Sequence, residues 1–238
     1  MKSIQKFSLK PGEVISQKYK ILKRVGSGLE SEVYLVKEIK TGIERAIKMY
    51  FPHRNKKNKT LKFGARKMHK LRNCNILVQY HNHDTFFWKG HQIDYLVSEF
   101  VEGEMLSDFV KKLPGKHMQP FQALHLLHAL ISGLEQLHKK KEYHGDIHTE
   151  NIMVLRQGLT FELKLIDFYN WGPSKKEHMD DDIHQAIKVF YEILGGNKYY
   201  ARQPQIVKDI CLGCKKGLIL SRYKNATKLR EFMENVKW

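Results

Sequence analysis

Apolar positions change their rhythm near the middle of this chain. In the first half, residues 19–25, 32–38 and 43–50 are short runs rich in β-branched and aromatic side chains, the composition of strands. Gly26-Ser27-Gly28 breaks the first pair and Lys40-Thr41-Gly42 turns the second. The basic stretch 53–62, with Arg54, Lys56, Lys57, Lys59 and Lys62, reads as a solvated loop. Residues 63–72 predict a short helix. Residues 93–99 predict another strand, ending in Phe100-Val101-Glu102-Gly103.

Beyond that point the period lengthens. Residues 105–113 look helical and stop at Pro114. Residues 121–140 give the clearest helix, with Ala123, Leu127, Leu130, Leu134 and Leu137 on one face. Pro120 sits near its start, where a missing N–H costs little. Residues 152–155 and 161–166 predict short strands, and 182–194 and 226–236 further helices. No internal repeat of solenoid or propeller period occurs. A strand-rich first lobe leading into a helix-rich second one predicts a segregated α+β architecture. The natural ligand site is then the cleft between lobes.

The 238 residues fit one compact domain or two small lobes. With 42% hydrophobic and 28% charged residues, the chain can bury a core, which excludes wholesale disorder. No stretch has the length and apolarity of a membrane span. Residues 1–10 hold three lysines and no apolar run, so no secretory signal is expected. Three cysteines (Cys74, Cys211 and Cys214) cannot build a disulfide framework, and a reducing, cytoplasmic setting is expected. Lys+Arg number 42 against 25 Asp+Glu, a formal charge of +17. That excess suits an anionic partner such as nucleotide, nucleic acid or acidic membrane, and equally a basic solvated surface. Nothing except charge supports nucleic acid.

Four short motifs carry chemistry. Gly26-Ser27-Gly28-Leu29-Glu30-Ser31-Glu32-Val33 joins two predicted strands, and glycines let backbone N–H groups approach a phosphate. A strand follows it, where a dinucleotide-binding loop needs a helix. Ala46-Ile47-Lys48 lies on the third strand, its lysine within reach of phosphate oxygens over that loop. His144-Gly145-Asp146-Ile147-His148-Thr149-Glu150-Asn151 follows the long helix, and Asp167-Phe168 closes the next strand pair. Two Asp and an Asn at this spacing can bind a divalent metal and orient a hydroxyl; Mg²⁺ takes oxygen ligands plus phosphates. A capped loop between helix and strand fits the same spacing.

In this order the motifs resemble those of protein-kinase-like phosphotransferases over essentially the whole chain, in particular a minimal bacterial-type serine/threonine protein kinase with a shortened activation segment. Leu96-Val97-Ser98-Glu99-Phe100-Val101-Glu102-Gly103 resembles the strand and hinge that hold adenine. Residues 182–196 resemble the buried helix of the large lobe, and 222–229 the final helical segment. The resemblance implies a two-lobed α+β fold in a single domain, 1–238. A small antiparallel N-lobe, 1–98, leads through a hinge, 99–103, into a mostly helical C-lobe, 104–238. It implies ATP and Mg²⁺ as cofactors and transfer of the γ-phosphate to a hydroxyl acceptor, foremost Ser/Thr of a protein. The implied catalytic residues are Asp146, Lys48 and Asn151. Lys48 would pair with the α/β-phosphates and Asp146 would accept or orient the acceptor hydroxyl. Asn151 and Asp167 would hold Mg²⁺. The implied nucleotide contacts are Gly26, Ser27, Gly28, Ser31, Val33, Ala46, Lys48, Ser98, Glu99, Val101 and Met153. Val33, Ala46 and Met153 would sandwich adenine, and Ser98 would gate the pocket behind it. His144 and Phe168 would belong to the apolar stack behind the metal site.

Several positions depart from the pattern. The glutamate that normally pairs with the strand lysine belongs near residues 64–67, yet no acidic residue occurs between Glu44 and Asp84. That absence keeps a nucleotide-binding pseudokinase scaffold in play. Gly145 replaces the arginine that binds activation-segment phosphate, so no switching of that kind is expected. His148 stands where protein kinases carry a lysine, and His-Gly-Asp-x-His resembles small-molecule and sugar kinases. Tyr169 replaces the glycine after Asp167-Phe168. Only fourteen residues separate Asp167 from Asp182, with no Ala-Pro-Glu among them, and 196–222 is short enough to have lost a helix. Cys211-Leu212-Gly213-Cys214 is one C-x-x-C where structural zinc needs four ligands, so core or surface thiols are expected. His81 and His83, or His125 and His128, are read as ordinary residues in a chain with thirteen histidines, and Trp171 and Trp238 show no base-stacking pattern.

Overall fold

Tyr34, Val36, Ile47, Met49, Tyr95 and Val97 alternate along three strands and point to one side, where each is almost wholly buried. They are the spine of the first of two units in the computed structural model, which describes residues 4–158 and 160–236. The unit runs through Arg72 and adds Val78–Val101. Its strands are β1 (Val14–Ile15), β2 (Tyr19–Ser27), β3 (Ser31–Glu38), β4 (Glu44–Tyr50), β5 (Tyr80–Trp88) and β6 (His91–Glu99). They pair antiparallel in the order β1-β2-β3-β4-β6-β5. Phe7, Phe51, Phe86 and Trp88 cover the apolar face. Burying each large side chain there contributes about 1.5–3 kcal/mol.

One carboxylate lies inside this unit. Glu32 is fully buried and accepts from the Tyr34 hydroxyl at 2.6 Å, the Phe7 N–H at 3.2 Å and Arg24 at 3.1 Å. Such bonds are what make a buried charge tolerable. The other sheet face receives helix α1 (Lys59–Lys70), which packs Leu61, Ala65 and Met68 against Tyr50, Leu96 and Tyr80.

The second unit comprises Asn73–Leu77 and the chain from Glu102. Its helix α3 (Pro120–Lys139) buries ten residues, including all five of the predicted apolar face. Around it stand α2 (Leu106–Lys112), α4 (Lys176–Ile193), α5 (Asn197–Tyr200), α6 (Gln205–Cys211), α7 (Lys216–Arg222) and α8 (Ala226–Glu234). Strands β7 (Glu104–Met105), β8 (Ile152–Gln157) and β9 (Thr160–Leu165) form a second sheet. The 73–77 segment joins by the Leu165 N–H bonding Ile76 O at 2.6 Å. No helix among the described residues is long and apolar enough to cross a membrane.

Some elements differ from the sequence expectation, each for a physical reason. Residues 59–62, expected in the basic loop, are the first turn of α1; their lysines are a helix's solvent side. Strand β5 was not expected, because Tyr-His-Asn-His-Asp at an outer edge shows no apolar alternation. Helix α4 starts at Lys176, not at residue 182, since its first turns are polar and half-exposed. Helices α5, α6 and α7 were not expected, because each is too short to display an apolar period.

Helices α3 and α8 are tied by a charge cluster. Glu135 is 7% exposed and accepts from Arg230 at 2.7 Å and Thr227 at 2.8 Å, with Lys139 at 2.9 Å. The Arg230 guanidinium holds the Glu135 carboxyl down at about 2 against burial, far below its ordinary 4.5. The stabilisation is therefore complete above pH 4.5 and is lost as pH falls towards 2. Glu135→Gln is expected to lower the melting temperature at neutral pH. Melting scans against pH should show that deficit shrinking between pH 4.5 and 2; a deficit constant with pH contradicts the assignment.

Candidate active site

Helix α4 presents Asp182 to the loop that follows α3. The carboxylate is fully buried and accepts the His144 N–H at Oδ2 and the Gly145 N–H at Oδ1, each at 2.8 Å. His138 Nε2 lies 3.1 Å from the same Oδ2. One turn on, Gln185 Oε1 accepts the Ile147 N–H at 2.9 Å. Residues three apart share a helix face, so one stripe of α4 holds three backbone amides of the loop.

The loop's own side chains complete it. His144 Nε2–H donates to Ile166 O at 3.0 Å and Nδ1 accepts the Asp146 N–H at 3.3 Å, which assigns the tautomer. The ring centroid lies 5.1 Å from that of Phe168. Asn151 Nδ2 donates to both the carbonyl and Oδ2 of Asp146, each at 2.9 Å. The Asp146 side chain is thus fixed while 45% of it stays exposed. His148 Nε2 is 3.6 Å from Asp146 Oδ2, and its Nδ1 accepts the Glu150 N–H at 3.3 Å. The Ile166 N–H bonds Asn151 O at 3.0 Å, which sets Asn151 beside the strand end leading to Asp167. Asp167 is exposed with φ +58°, a left-handed backbone state that aspartate adopts more readily than most residues.

Gly145 is required by its surroundings. Its φ is +87°, and a Cβ there would stand 2.9 Å from the Tyr143 ring and 3.0 Å from Trp171. Trp171 Nε1–H donates to Gly145 O at 2.9 Å. The buried Tyr143 hydroxyl accepts the Trp171 N–H and donates to Gly172 O, both at 2.9 Å. Burial raises the Tyr143 phenol above its ordinary range. The short segment after Asp167 is thereby held by a glycine, a tyrosine and a tryptophan.

In the first unit, strand register gathers most of the expected nucleotide residues. Gly26 pairs with Val33, Val33 with Lys48 and Lys48 with Leu96; Leu35 pairs with Ala46 and Ala46 with Ser98. Directly opposed residues share a face, so Gly26, Val33, Ala46, Lys48 and Ser98 lie on the side opposite the apolar spine. Ser31, opposite Tyr50, shares it. Ser27 ends β2, and Gly28 N–H bonds Ser31 O at 2.9 Å to close the hairpin tip. A Cβ on Gly28 would meet nothing within 4 Å, and one on Gly26 would make only ordinary contact with Val33. The fold itself therefore does not demand these glycines. Glu99 bonds Gln79 N–H through Oε1 at 3.0 Å, and Val101 is half-buried. Met153 lies in the second unit on β8, paired with Met105 and Lys164.

Helix α1 buries Leu61 and Lys67 and has no acidic residue. Lys67 Nζ lies 5.3 Å from the Phe63 ring centroid, and Lys48 Nζ lies 5.9 Å from that of Tyr50. Among the described residues no three His, Cys, Asp or Glu side chains cluster as a metal cage. Asn151 and Asp167 still suit Mg²⁺, which uses one or two protein oxygens and completes its shell with phosphates and water. Asn151 spends its amide nitrogen on Asp146, which leaves its carbonyl oxygen for a cation.

The residues set aside as ordinary have ordinary partners. His81 lies 2.8 Å from Arg45, His83 2.8 Å from Tyr80 and His128 3.0 Å from Glu234. His125 packs edge-on to Phe121. Trp238 lies outside the described residues. Sequence reasoning missed the clamp of Asp182 and Gln185, whose only signal was an acid within an apolar-periodic helix. It also missed the role of Tyr143 and Trp171, which have no local signal.

Comparison with known proteins agrees with this geometry. The family model described as "Protein kinase domain" matches residues 19–209. The Bacillus subtilis protein named "Probable serine/threonine-protein kinase YbdM" is 31% identical over 237 residues, covering 94% of this chain and 91% of that one. Calcium-dependent protein kinase 4 of Plasmodium berghei is 28% identical over 190 residues, 77% of this chain but only 34% of the relative's length. The crystallised kinase domain of PF14_0431 superposes with a TM-score of 0.58 at 19% identity, over 80% of this chain and 67% of that one, which establishes the fold.

Replacing Gly145 tests the packing of the loop. Gly145→Ala is expected to cost about 1–3 kcal/mol of unfolding free energy in a urea titration, with faster proteolysis in 169–175. Unchanged stability contradicts the contact with Tyr143 and Trp171.

Proposed function

The chain belongs to the protein kinase family, and on that premise we propose that it transfers the γ-phosphate of ATP to a serine or threonine hydroxyl of a protein. The observation that carries the reading is Asp146: a half-exposed carboxylate, oriented by Asn151, on a loop whose backbone is fixed by the buried Asp182. Phosphoryl transfer asks the protein mainly for positioning and charge neutralisation. Asp146 orients the attacking hydroxyl and accepts its proton. Lys48 neutralises the α- and β-phosphate oxygens. The hairpin around Gly26 and Gly28 lies along the phosphates, which pass close to a backbone free of side chains and so account for glycines that the fold does not require. Val33 and Ala46 contact adenine, with Ser98, Glu99 and Val101 at its edge, and Met153 is the contact proposed on the second unit. Bound Mg²⁺, held by Asn151 and Asp167, supplies charge neutralisation of the phosphates.

A second reading, nucleotide binding without turnover, rests on the acid-free α1 and its buried Lys67. A small-molecule hydroxyl is the other acceptor class, on the strength of His148 beside Asp146.

The test is transfer of labelled γ-phosphate from Mg-ATP to mixed protein acceptors, beside Asp146→Ala. Label on serine or threonine that disappears in the variant is expected. Mg-ATP binding with no protein labelling favours the second reading or a small-molecule acceptor, and neither binding nor labelling overturns the proposal. Ser174→Ala and Ser174→Asp are expected to leave the rate unchanged, because Tyr143 and Trp171 already hold the segment. A large rate change at Ser174 contradicts that.

A further inference from the structure

The turn between α6 and α7 carries both cysteines of the C-x-x-C. Cys211 is fully buried and Cys214 half-buried, and both are free thiols. Leu212, Gly213 and Cys214 run through φ values of +45°, +60° and +54°. Three successive left-handed residues make a tight reversal between Cys211 and Cys214, and the two thiols are close enough to act on each other electrostatically. Cys74 is also fully buried, and burial raises its thiol while Lys140 opposes.

The reversal is tied to the helix that holds the candidate active site. His184 Nε2–H donates to Cys214 O at 3.1 Å, and Lys216 pairs with Asp181. Gly213 N–H donates to the Tyr200 hydroxyl at 3.0 Å. Asp181 and His184 flank Asp182 and precede Gln185, the residues that hold the backbone amides of His144, Gly145 and Ile147.

We propose that Cys211 and Cys214 are a redox-active dithiol, oxidised by a peroxide to an intrachain disulfide, and that this modification loosens the loop holding Asp146 through α4. The Cys214 thiolate attacks one peroxide oxygen, the O–O bond breaks, and sulfenic acid forms as hydroxide leaves. Cys211 sulfur then attacks the Cys214 sulfur, an S–S bond forms, and the sulfenic oxygen leaves as water with the Cys211 proton. Overall two thiols and one hydrogen peroxide give a disulfide and two waters. The accessible thiol reacts first and the buried one resolves it. The thiols' electrostatics fit these roles. Donation from Cys211 holds the Cys214 thiol below its ordinary range, with Lys188 assisting and burial and Glu192 opposing. The same hydrogen bond and burial push Cys211 up.

The effect on transfer rests on the proposed function, but the site itself does not, so the experiment reads chemistry and exchange. Purified protein is treated with one equivalent of hydrogen peroxide and examined by peptide mass spectrometry and amide hydrogen exchange. Wild type and Cys74→Ser are expected to lose two hydrogen atoms in the peptide containing both cysteines, reversed by dithiothreitol. Cys214→Ser and Cys211→Ala should not. In oxidised wild type the amides of His144, Gly145 and Ile147 should exchange several-fold faster. No disulfide in folded wild type overturns the proposal. A disulfide with unchanged exchange in 144–151 overturns its coupling to the loop. Both outcomes are readable even if no phosphate transfer is ever found.

Discussion

A single buried carboxylate organises the second unit. Asp182 has no exposure and meets two backbone N–H groups and a histidine. Leaving such a charge short of partners costs several kcal/mol, so the loop and α4 must adopt this arrangement together. The backbone of His144 and Gly145 is thereby set before any ligand arrives. The positions of Asp146 and Asn151 follow from it, and so does the shelf on which Trp171 rests. Proposed catalysis here is a consequence of packing: the groups that would touch substrate are placed by one that does not.

The two sheet faces of the first unit divide labour in a similar way. One is filled by Tyr34, Ile47 and Tyr95 under the N-terminal Phe7. The other carries Val33, Ala46, Lys48 and Ser98. Register alone sorts them, because a one-residue slip would exchange the faces. Lys67 on the acid-free α1 shows that the usual ion pair of the family is not built with a glutamate on this helix.

Much of this was legible in the chain. Runs of β-branched and aromatic residues revealed β2, β3 and β4, a further short run revealed β6, and the apolar stripe of α3 matched its buried face. The Gly26–Gly28, Lys48, Asp146, Asn151 and Asp167 motifs are local in sequence, so they could be read without coordinates. The rest depends on long-range contacts. Strand β5 is polar because it is an edge, and α5 to α7 are too short to carry a period. The Asp182 clamp joins residues 37 and 38 positions apart, and Trp171 reaches Gly145 across 26. No window of sequence contains such a pair.

The central claim is that Asp182 sets the loop and the loop sets the chemistry. Asp182→Asn keeps the volume but replaces one acceptor oxygen with a donor, facing an N–H that needs an acceptor. The most direct measurement is steady-state transfer by Asp182→Asn, with Mg-ATP affinity and melting temperature determined alongside. The account predicts a folded protein with nearly unchanged nucleotide affinity and a kcat lower by about 10²-fold, the cost of misplacing reacting groups by about 1 Å. A folded variant with wild-type kcat would contradict it.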